Sequence, residues 1–560
     1  MRSAGYGPRP VTTAAPPGRQ RSALLAGGLA VAAAAYLTGL DSIHAPTIGD
    51  ESYYLQIARV TAASGRLLPL RSESGITNTK PPLLFWQGIA STGFGRHWEL
   101  WRLRLPVVGL TFATAAVAGI LAFRISGRRA AGVLAALVFL GFRSTIQYGR
   151  PFLTNAGETL FLFLPLALLL PRARTGPALT IATGLSLGAA ALFKSFFLVV
   201  PGAAGLALVL WRRNGWSVRE TIRRHGPFLS GAVALGLALF AIWPLADPHP
   251  DVVFSQFFLG ENAGKFRPET FLRGLLIGPS ALWRLWLGDL YNAGLHALPL
   301  LGLAVDSWRR RRELAGEEKD LWLFVLAFLV VYSIPTQRQA NYLLPTCAAL
   351  SVLLALRWHA LADGWFRATL ALLAAALAVV PFLERGVETA LGARLFGPAD
   401  HALPVALAAF AALGAVLPRL GRDLLPALAV AALLVVTSFL APFSHPFPAP
   451  ALEDVRGRTV LFPDWFLQAQ EKYRFVLPGA EIRPYRCAGG RDGCLPPEAA
   501  DGAYAAILLA PGAPLPPGWA AVAEKPHLTS RHTAAQIAQM ARGRLEPLVD
   551  RLVLARSIAP

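Results

Sequence analysis

Leu105-Pro-Val-Val-Gly-Leu-Thr-Phe-Ala-Thr-Ala-Ala-Val-Ala-Gly-Ile-Leu-Ala-Phe123 runs nineteen residues without a charge and then breaks into Arg124-Ile-Ser-Gly-Arg-Arg129. About 20 mostly apolar residues in a helix cross the hydrocarbon core of a bilayer, so this stretch reads as a membrane span ending in a basic loop. The pattern repeats along the chain. Further apolar blocks fall at 22–40, 130–147, 156–171, 177–193, 195–211, 228–245, 286–305, 321–335, 342–357, 366–382, 401–418 and 423–441, which makes about thirteen spans by the length rule. Hydrophobic residues are 54% of the 560 and charged residues 15%. Soluble chains carry about a quarter charged residues, so composition excludes a string of soluble domains. The expected fold class is a polytopic α-helical membrane protein.

The formal net charge of +20 invites a nucleic-acid reading until the arginines are located. With the N-terminus inside, the loops that fall inside carry Arg124, Arg128 and Arg129; Arg172 and Arg174; Arg212, Arg213, Arg219, Arg223 and Arg224; Arg309 to Arg312 with Lys319; Arg357 and Arg367; and Arg419 and Arg422. Lys and Arg mark cytoplasmic loops, so the basic excess is a topology signal and no nucleic-acid partner is expected. An odd number of spans puts the termini on opposite sides. The expected organisation is a basic cytoplasmic N-terminus at 1–21, a transmembrane module at 22–441 with outer loops 41–104 and 246–284, and a C-terminal extracytoplasmic domain at 442–560.

That last region loses the apolar blocks. Thr459 to Phe462 and Ala505 to Leu509 read as strands and Thr533 to Ala555 as helix, so a small α/β domain is expected behind a Pro-rich, stiff linker at 441–450. Of the three cysteines, Cys347 lies in an apolar block, and Cys487 and Cys494 bracket a glycine-rich loop. Outside the cytoplasm they would be either a local disulfide or two free thiols.

The remaining charges collect on the outer side. Gly49-Asp-Glu-Ser-Tyr-Tyr-Leu-Gln-Ile-Ala-Arg59 opens a helix with Asp50 and Glu51 in its first turn and Tyr54, Ile57, Ala58 and Thr61 on one side; it is expected to lie along the membrane interface. Thr79-Lys-Pro-Pro-Leu-Leu-Phe-Trp86 follows, its Leu83 to Trp86 free to lie against lipid tails. Span ends on the same face carry Arg150, Asn155 and Glu158; Lys194; Gly260-Glu-Asn-Ala-Gly-Lys-Phe-Arg267; and Gln337-Arg-Gln-Ala-Asn-Tyr-Leu-Leu-Pro345. Taken singly, Asp50 is a helix cap favoured by the dipole and Lys80 a snorkelling lysine. Taken together, ionisable residues at membrane depth mark a site. Cations suit a phosphate and a carboxylate suits a hydroxyl proton or an amine, which makes a phosphate-bearing lipid the natural substrate.

These motifs resemble the GT-C superfold of polyprenyl-phosphate-dependent glycosyltransferases, in the aminoarabinose-transferase-like branch related to protein O-mannosyltransferases. The resemblance spans roughly the first 445 residues and rests on Asp50-Glu51, Tyr54 and Ile57-Ala58-Arg59; Lys80-Pro81-Pro82-Leu83 with Trp86; Glu261, Asn262, Lys265 and Phe266; and Tyr342 to Pro345. It implies an inverting transfer of a hexosyl or pentosyl group from a polyprenyl-phosphate sugar to a lipid, glycan or protein acceptor, on the periplasmic face of a bacterial-type inner membrane. In that reading Asp50 and Glu51 are catalytic. Lys80, Tyr54, Arg59, Lys194, Lys265, Arg267, Arg338 and Tyr342 hold the donor phosphate or its lipid, and Arg150, Asn155, Glu158, Glu261 and Asn262 form an acceptor or structural site. The chain departs from the aminoarabinose branch at Tyr53, where that branch has Arg, and at Thr79 and Asn262, which replace a Glu and a His associated with a metal there. Asn155 stands where a second loop acid is expected, with Glu158 one turn on. No metal is therefore assigned. The rivals are a catalytically inactive scaffold with the same fold and, further off, a secondary transporter, which would place its ionisable groups at the midplane of repeated, broken helices.

Overall fold

The computed structural model describes residues 19–44, 49–172, 174–262, 274–464, 469–486, 496, 502–529 and 532–558. The chain is mostly helical, and a helix falls on every apolar block of the sequence. The first ten helices are α1 Arg19–Leu37, α2 Gly49–Ala63, α3 Leu83–Ser91, α4 Leu100–Ser126, α5 Arg129–Gly141, α6 Arg143–Tyr148, α7 Asn155–Leu169, α8 Pro177–Phe193, α9 Val199–Arg213 and α10 Val218–Ala246. Later long helices are Ala297–Arg309, Gly316–Ser333, Leu344–Arg357, Asp363–Leu391, Pro398–Val416 and Pro418–Ser444. Among the described residues, seven helical segments are long and apolar enough to cross a membrane, and four apolar helices are shorter. Side chains such as Ile120, Ile242, Leu245, Leu372, Phe382 and Phe410 stand exposed on these helices, as they must where the surrounding medium is lipid. This is a multi-pass membrane protein.

Small residues allow a close contact between α4 and α5. A Cβ on Gly119 or Gly132 would lie 2.8–2.9 Å from the other's carbonyl oxygen, so only glycine lets α4 and α5 approach this far. The basic end of the bundle is tied by ion pairs. Asp320 accepts from Arg212 at 2.6 Å and Arg213 at 2.9 Å, and Glu318 accepts from Arg357 at 2.7 Å.

At the opposite end the block expected as one span at 130–147 is broken. Phe142 adopts an extended conformation (φ −67°, ψ 134°) between α5 and α6, so the polar run Arg143 to Tyr148 forms its own short helix. The interface reading of α2 is also corrected. Glu51, Ser52, Leu55, Gln56, Ile57, Ala58 and Thr61 are all buried, because α2 is covered by α3 and by the turn Ala469–Phe475 of the C-terminal region. Leu84 and Phe85 likewise face protein, not lipid: both are fully buried, and the Phe85 ring meets Tyr54 edge-on at 5.7 Å.

The short hairpin β1 Arg71–Ser72 and β2 Gly75–Ile76 lies in the loop after α2. The C-terminal region builds a five-stranded sheet from β3 Thr459–Asp464, β4 Glu481–Arg486, β5 Tyr504–Leu509, β6 Trp519–Leu528 and β7 Val549–Ser557, in the order β4-β3-β5-β7-β6. β3 pairs parallel with β4 and β5; β7 pairs antiparallel with β5 and β6. The long helix expected over 533–555 is overturned. It stops at Ala541, Gly543 takes φ 83°, and Val549–Ser557 is a buried strand. The stiff linker is overturned too: the helix runs through Pro442 to Ser444, and Ala449–Val455 is helical. This region packs on α2, on the end of Asp363–Leu391 where Leu545 covers Gly386, and on the end of Pro418–Ser444 through β6.

Candidate active site

The polar residues of the end that carries Asp50 form a cleft between α2, the start of α7, the α8–α9 junction and the turn before Leu344–Arg357. Asp50 lies exposed in the first turn of α2. Its negative field reaches the ring hydroxyls of Tyr54, Tyr148 and Tyr342 and the ammonium of Lys194. Burial, reinforced by Asp50, pushes the Tyr54 phenol well above its usual range, so Tyr54 stays a hydrogen-bond donor.

Lys194 is placed by a chain break. α8 ends at Phe193, Lys194 leaves helical geometry (φ −141°, ψ −53°), and the Ser195 hydroxyl accepts from the Phe197 amide to start the next span. Lys194 Nζ donates to Glu158 Oε2 at 3.0 Å and lies 5.1 Å from the Tyr342 ring centroid. Glu158 sits in the first turn of α7, where the helix dipole favours an acid, and its Oε1 accepts from the Thr154 hydroxyl at 2.5 Å. Tyr342 stands in the turn Ala340–Leu343 ahead of Pro345, with Tyr332 at 5.5 Å between centroids. Lys80 forms an ion pair with Glu261, which ends the π-helical segment Val253–Asn262. Ser195 donates to Asn262 Oδ1 at 2.8 Å, and Asn262 Nδ2 donates to the Phe257 carbonyl at 2.7 Å.

Other sequence candidates lie elsewhere. Glu51 is buried away from the cleft, accepting two bonds from Arg104 (2.8 and 2.7 Å) and one from the Phe152 amide (2.7 Å). Arg59 faces the C-terminal region, donating to Glu471 at 2.6 Å and Glu73 at 2.5 Å. Arg150 caps α1 through the carbonyls of Tyr36 (3.3 Å) and Thr38. Arg338 is buried against the carbonyls of Ser333, Gly274 and Ser280 at 3.0–3.3 Å. Asn155 is buried at the start of α7. Lys265, Arg267, Cys487 and Cys494 lie outside the described residues. Thr154, Tyr148, Ser195 and Tyr332 join the cleft without having been singled out; the polar interruption at Arg143 to Tyr148 was the one visible sign.

The two positions linked to a metal in the aminoarabinose branch do not suit one here. Asn262 is committed to Ser195 and Phe257, and Thr79 offers only a hydroxyl. An amide and an alcohol are weak ligands for a transition metal.

The bundle thus gathers carboxylates and cations at one end, beside a sheet-containing region. Residues 47–243 match the family described as dolichyl-phosphate-mannose-protein mannosyltransferase. Among solved structures, the chain superposes on ArnT from Cupriavidus metallidurans bound to undecaprenyl phosphate, with 16% identity, 96% of this chain and 99% of that chain covered, and a TM-score of 0.59. The apo state of the same protein gives 17% identity, coverage of 96% and 98%, and a TM-score of 0.57. No curated protein matches the sequence. The chain shares the fold of these two structures, the GT-C fold.

Proposed function

We propose that the protein is an integral-membrane glycosyltransferase that takes a sugar from a polyprenyl-phosphate donor and passes it, with inversion and on the periplasmic face, to a lipid, glycan or protein acceptor. The observation that carries this reading is the convergence of Asp50, the Lys194–Glu158 and Lys80–Glu261 pairs and Tyr342 in one cleft at one end of the bundle. The family match over 47–243 and a fold shared with a protein that binds undecaprenyl phosphate support it.

In the proposed reaction the bond between the anomeric carbon and the donor phosphate oxygen breaks as an acceptor oxygen attacks from the opposite face. The departing phosphate gains charge, and preorganised cations stabilise that gain. Lys80 and Lys194 are each balanced by one carboxylate, so an arriving phosphate exchanges partners with Glu261 and Glu158 without entering a field of unopposed cations. Lys265 and Arg267 are proposed to add to this set. Asp50 takes the proton of a hydroxyl acceptor. A phosphate acceptor is already ionised, and Asp50 then orients it or stabilises the cationic sugar. Glu51, Arg59, Arg150 and Arg338 act as positioning residues.

The test is equilibrium binding of undecaprenyl phosphate to the purified protein. Lys80→Ala should weaken binding, and Lys80→Arg should rescue it in part, because a planar guanidinium does not reproduce a compact ammonium. Equal affinity for wild type and Lys80→Ala removes Lys80 from the site. A wild-type protein that binds no undecaprenyl phosphate contradicts the proposal and favours a scaffold or a transporter.

A further inference from the structure

The C-terminal region carries a helix, Ala534–Ala541, whose apolar face the fold leaves open. A reciprocal cap starts it: the Thr533 hydroxyl accepts from the Gln536 amide at 3.2 Å, and the Gln536 side chain accepts from the Thr533 amide at 2.8 Å. None of its eight residues is buried, and Ile537 is 55% exposed. At 100° per residue Ala534, Ile537, Ala538 and Ala541 share one face, and Gln539 stands on the other. A helix this short is marginal in water and in proteins owes most of its stability to an apolar face packed against something. Among the described residues this one packs mainly on the turn Glu546–Leu548 that follows it.

Its position indicates what covers the face. Four residues after Ala541, Leu545 rests on Gly386 so closely that a Cβ there has no room, and Leu548 packs against the cluster of Val387, Phe396 and Phe443. Gly386 stands four residues, about 6 Å of helix, beyond Phe382, which is 70% exposed on the membrane-crossing helix Asp363–Leu391. Four residues extend at most about 14 Å, so Ala541 stays within reach of the headgroup layer, which begins where that lipid-facing surface ends. Four exposed arginines surround the junction: Arg385 and Arg394 at the end of the span, and Arg542 and Arg544 after the helix. None of them forms an ion pair among the described residues. They stand at the end of the bundle opposite the basic loops, so the enrichment of cytoplasmic loops in Lys and Arg does not account for them.

We propose that Ala534–Ala541 is a membrane-surface helix that seats the C-terminal region on anionic lipid, with its Ile537 face among the headgroups and upper acyl chains. A free peptide of this length would leave the bilayer, but this helix is tied to a span four residues away, and the tether keeps its effective concentration at the surface high. The arginines supply the preference for anionic headgroups, each worth about fivefold in partitioning. The inference does not rest on glycosyl transfer or on Asp50.

The experiment uses the full chain in nanodiscs of phosphatidylcholine, alone or mixed with phosphatidylglycerol. A fluorescent amino acid sensitive to its surroundings replaces Ile537 in one protein and Gln539 in another; both positions are exposed, so folding tolerates either change. The quenchers are lipid spin-labelled near its carbonyl and aqueous iodide. Fluorescence at 537 should be quenched by the spin-labelled lipid and shielded from iodide severalfold relative to 539, and more strongly with phosphatidylglycerol. Arg542→Gln together with Arg544→Gln should remove most of the gain that phosphatidylglycerol brings. Equal iodide quenching at 537 and 539, without lipid quenching, overturns the proposal. A fluorophore at 537 shielded from both quenchers also overturns it, because a second copy of the chain or another protein would then cover the face. Lipid quenching that neither phosphatidylglycerol nor the arginine substitutions change overturns the assignment to anionic lipid.

Discussion

Glu51→Gln tests how two adjacent acids divide their work. The Glu51 carboxylate is 7% exposed and its partner Arg104 1% exposed. Besides its two bonds to Arg104 and one from the Phe152 amide, the pair is extended by Arg104 Nη1, which donates to the carbonyls of Leu40 (3.1 Å) and Ser42 (2.7 Å). One buried pair thus joins α2, α4, the segment after α1 and the segment before α7. Glutamine keeps the shape but leaves the guanidinium uncompensated, and breaking a buried pair on one side costs about 3–5 kcal/mol. At about 1.4 kcal/mol per decade that is roughly two to three and a half decades in the folding equilibrium. The assay is thermal unfolding of the purified protein in detergent, with Glu51→Leu/Arg104→Met as the companion. Replacing both charges with apolar groups of similar size should recover most of the loss. A Glu51→Gln protein that melts like wild type but no longer turns over would refute the reasoning and make Glu51 a reacting group.

Three further outcomes follow from other parts of the molecule. Lys525, 8% exposed, donates to the carbonyls of Phe443 and His445, and burial lowers its ammonium to about 7. The unfolded chain keeps the ordinary lysine value of about 10.4 and so binds more protons between those two values; stability of the docked C-terminal region should therefore rise with pH from about 7 to about 10. Protease resistance of residues 445–449 across that range reads this, and Lys525→Met should flatten the slope. Glu471 is fully buried between Arg59 and Arg474; Glu471→Gln should release the C-terminal region from α2 and speed limited proteolysis by more than about tenfold. A periplasmic reporter fused after Ser444 should be active and a cytoplasmic one silent, as the arginine pattern requires.

The helices were legible because membrane spans leave a run of apolar residues that nothing else in a protein needs. The cleft was partly legible for the same reason: charge at a span end stands out against its surroundings, as at Lys194 and Glu158. What could not be read was pairing. Asp50 and Glu51 are neighbours in sequence, but successive helical residues point about 100° apart, so one faces the cleft and the other Arg104. Arg59 looked like a phosphate ligand because its partner, Glu471, lies 412 residues away. α2 read as an interfacial helix because its cover comes from the C-terminal region. β7 was hidden by the amphipathic run before it, although Gly543 and Pro547 marked the break.

The central claim is that Asp50 serves transfer from a polyprenyl-phosphate sugar. Its most direct test is mass spectrometry of polyprenyl-phosphate sugars in cells that carry wild-type protein, Asp50→Asn or no protein. Loss of a positioned acid or base costs about 10²–10⁴-fold in rate, so Asp50→Asn, inserted in the membrane at wild-type level, should accumulate the same sugar-linked polyprenyl phosphate as the deletion. Lipid profiles identical in all three strains, or an Asp50→Asn profile matching wild type while the deletion accumulates donor, would contradict it.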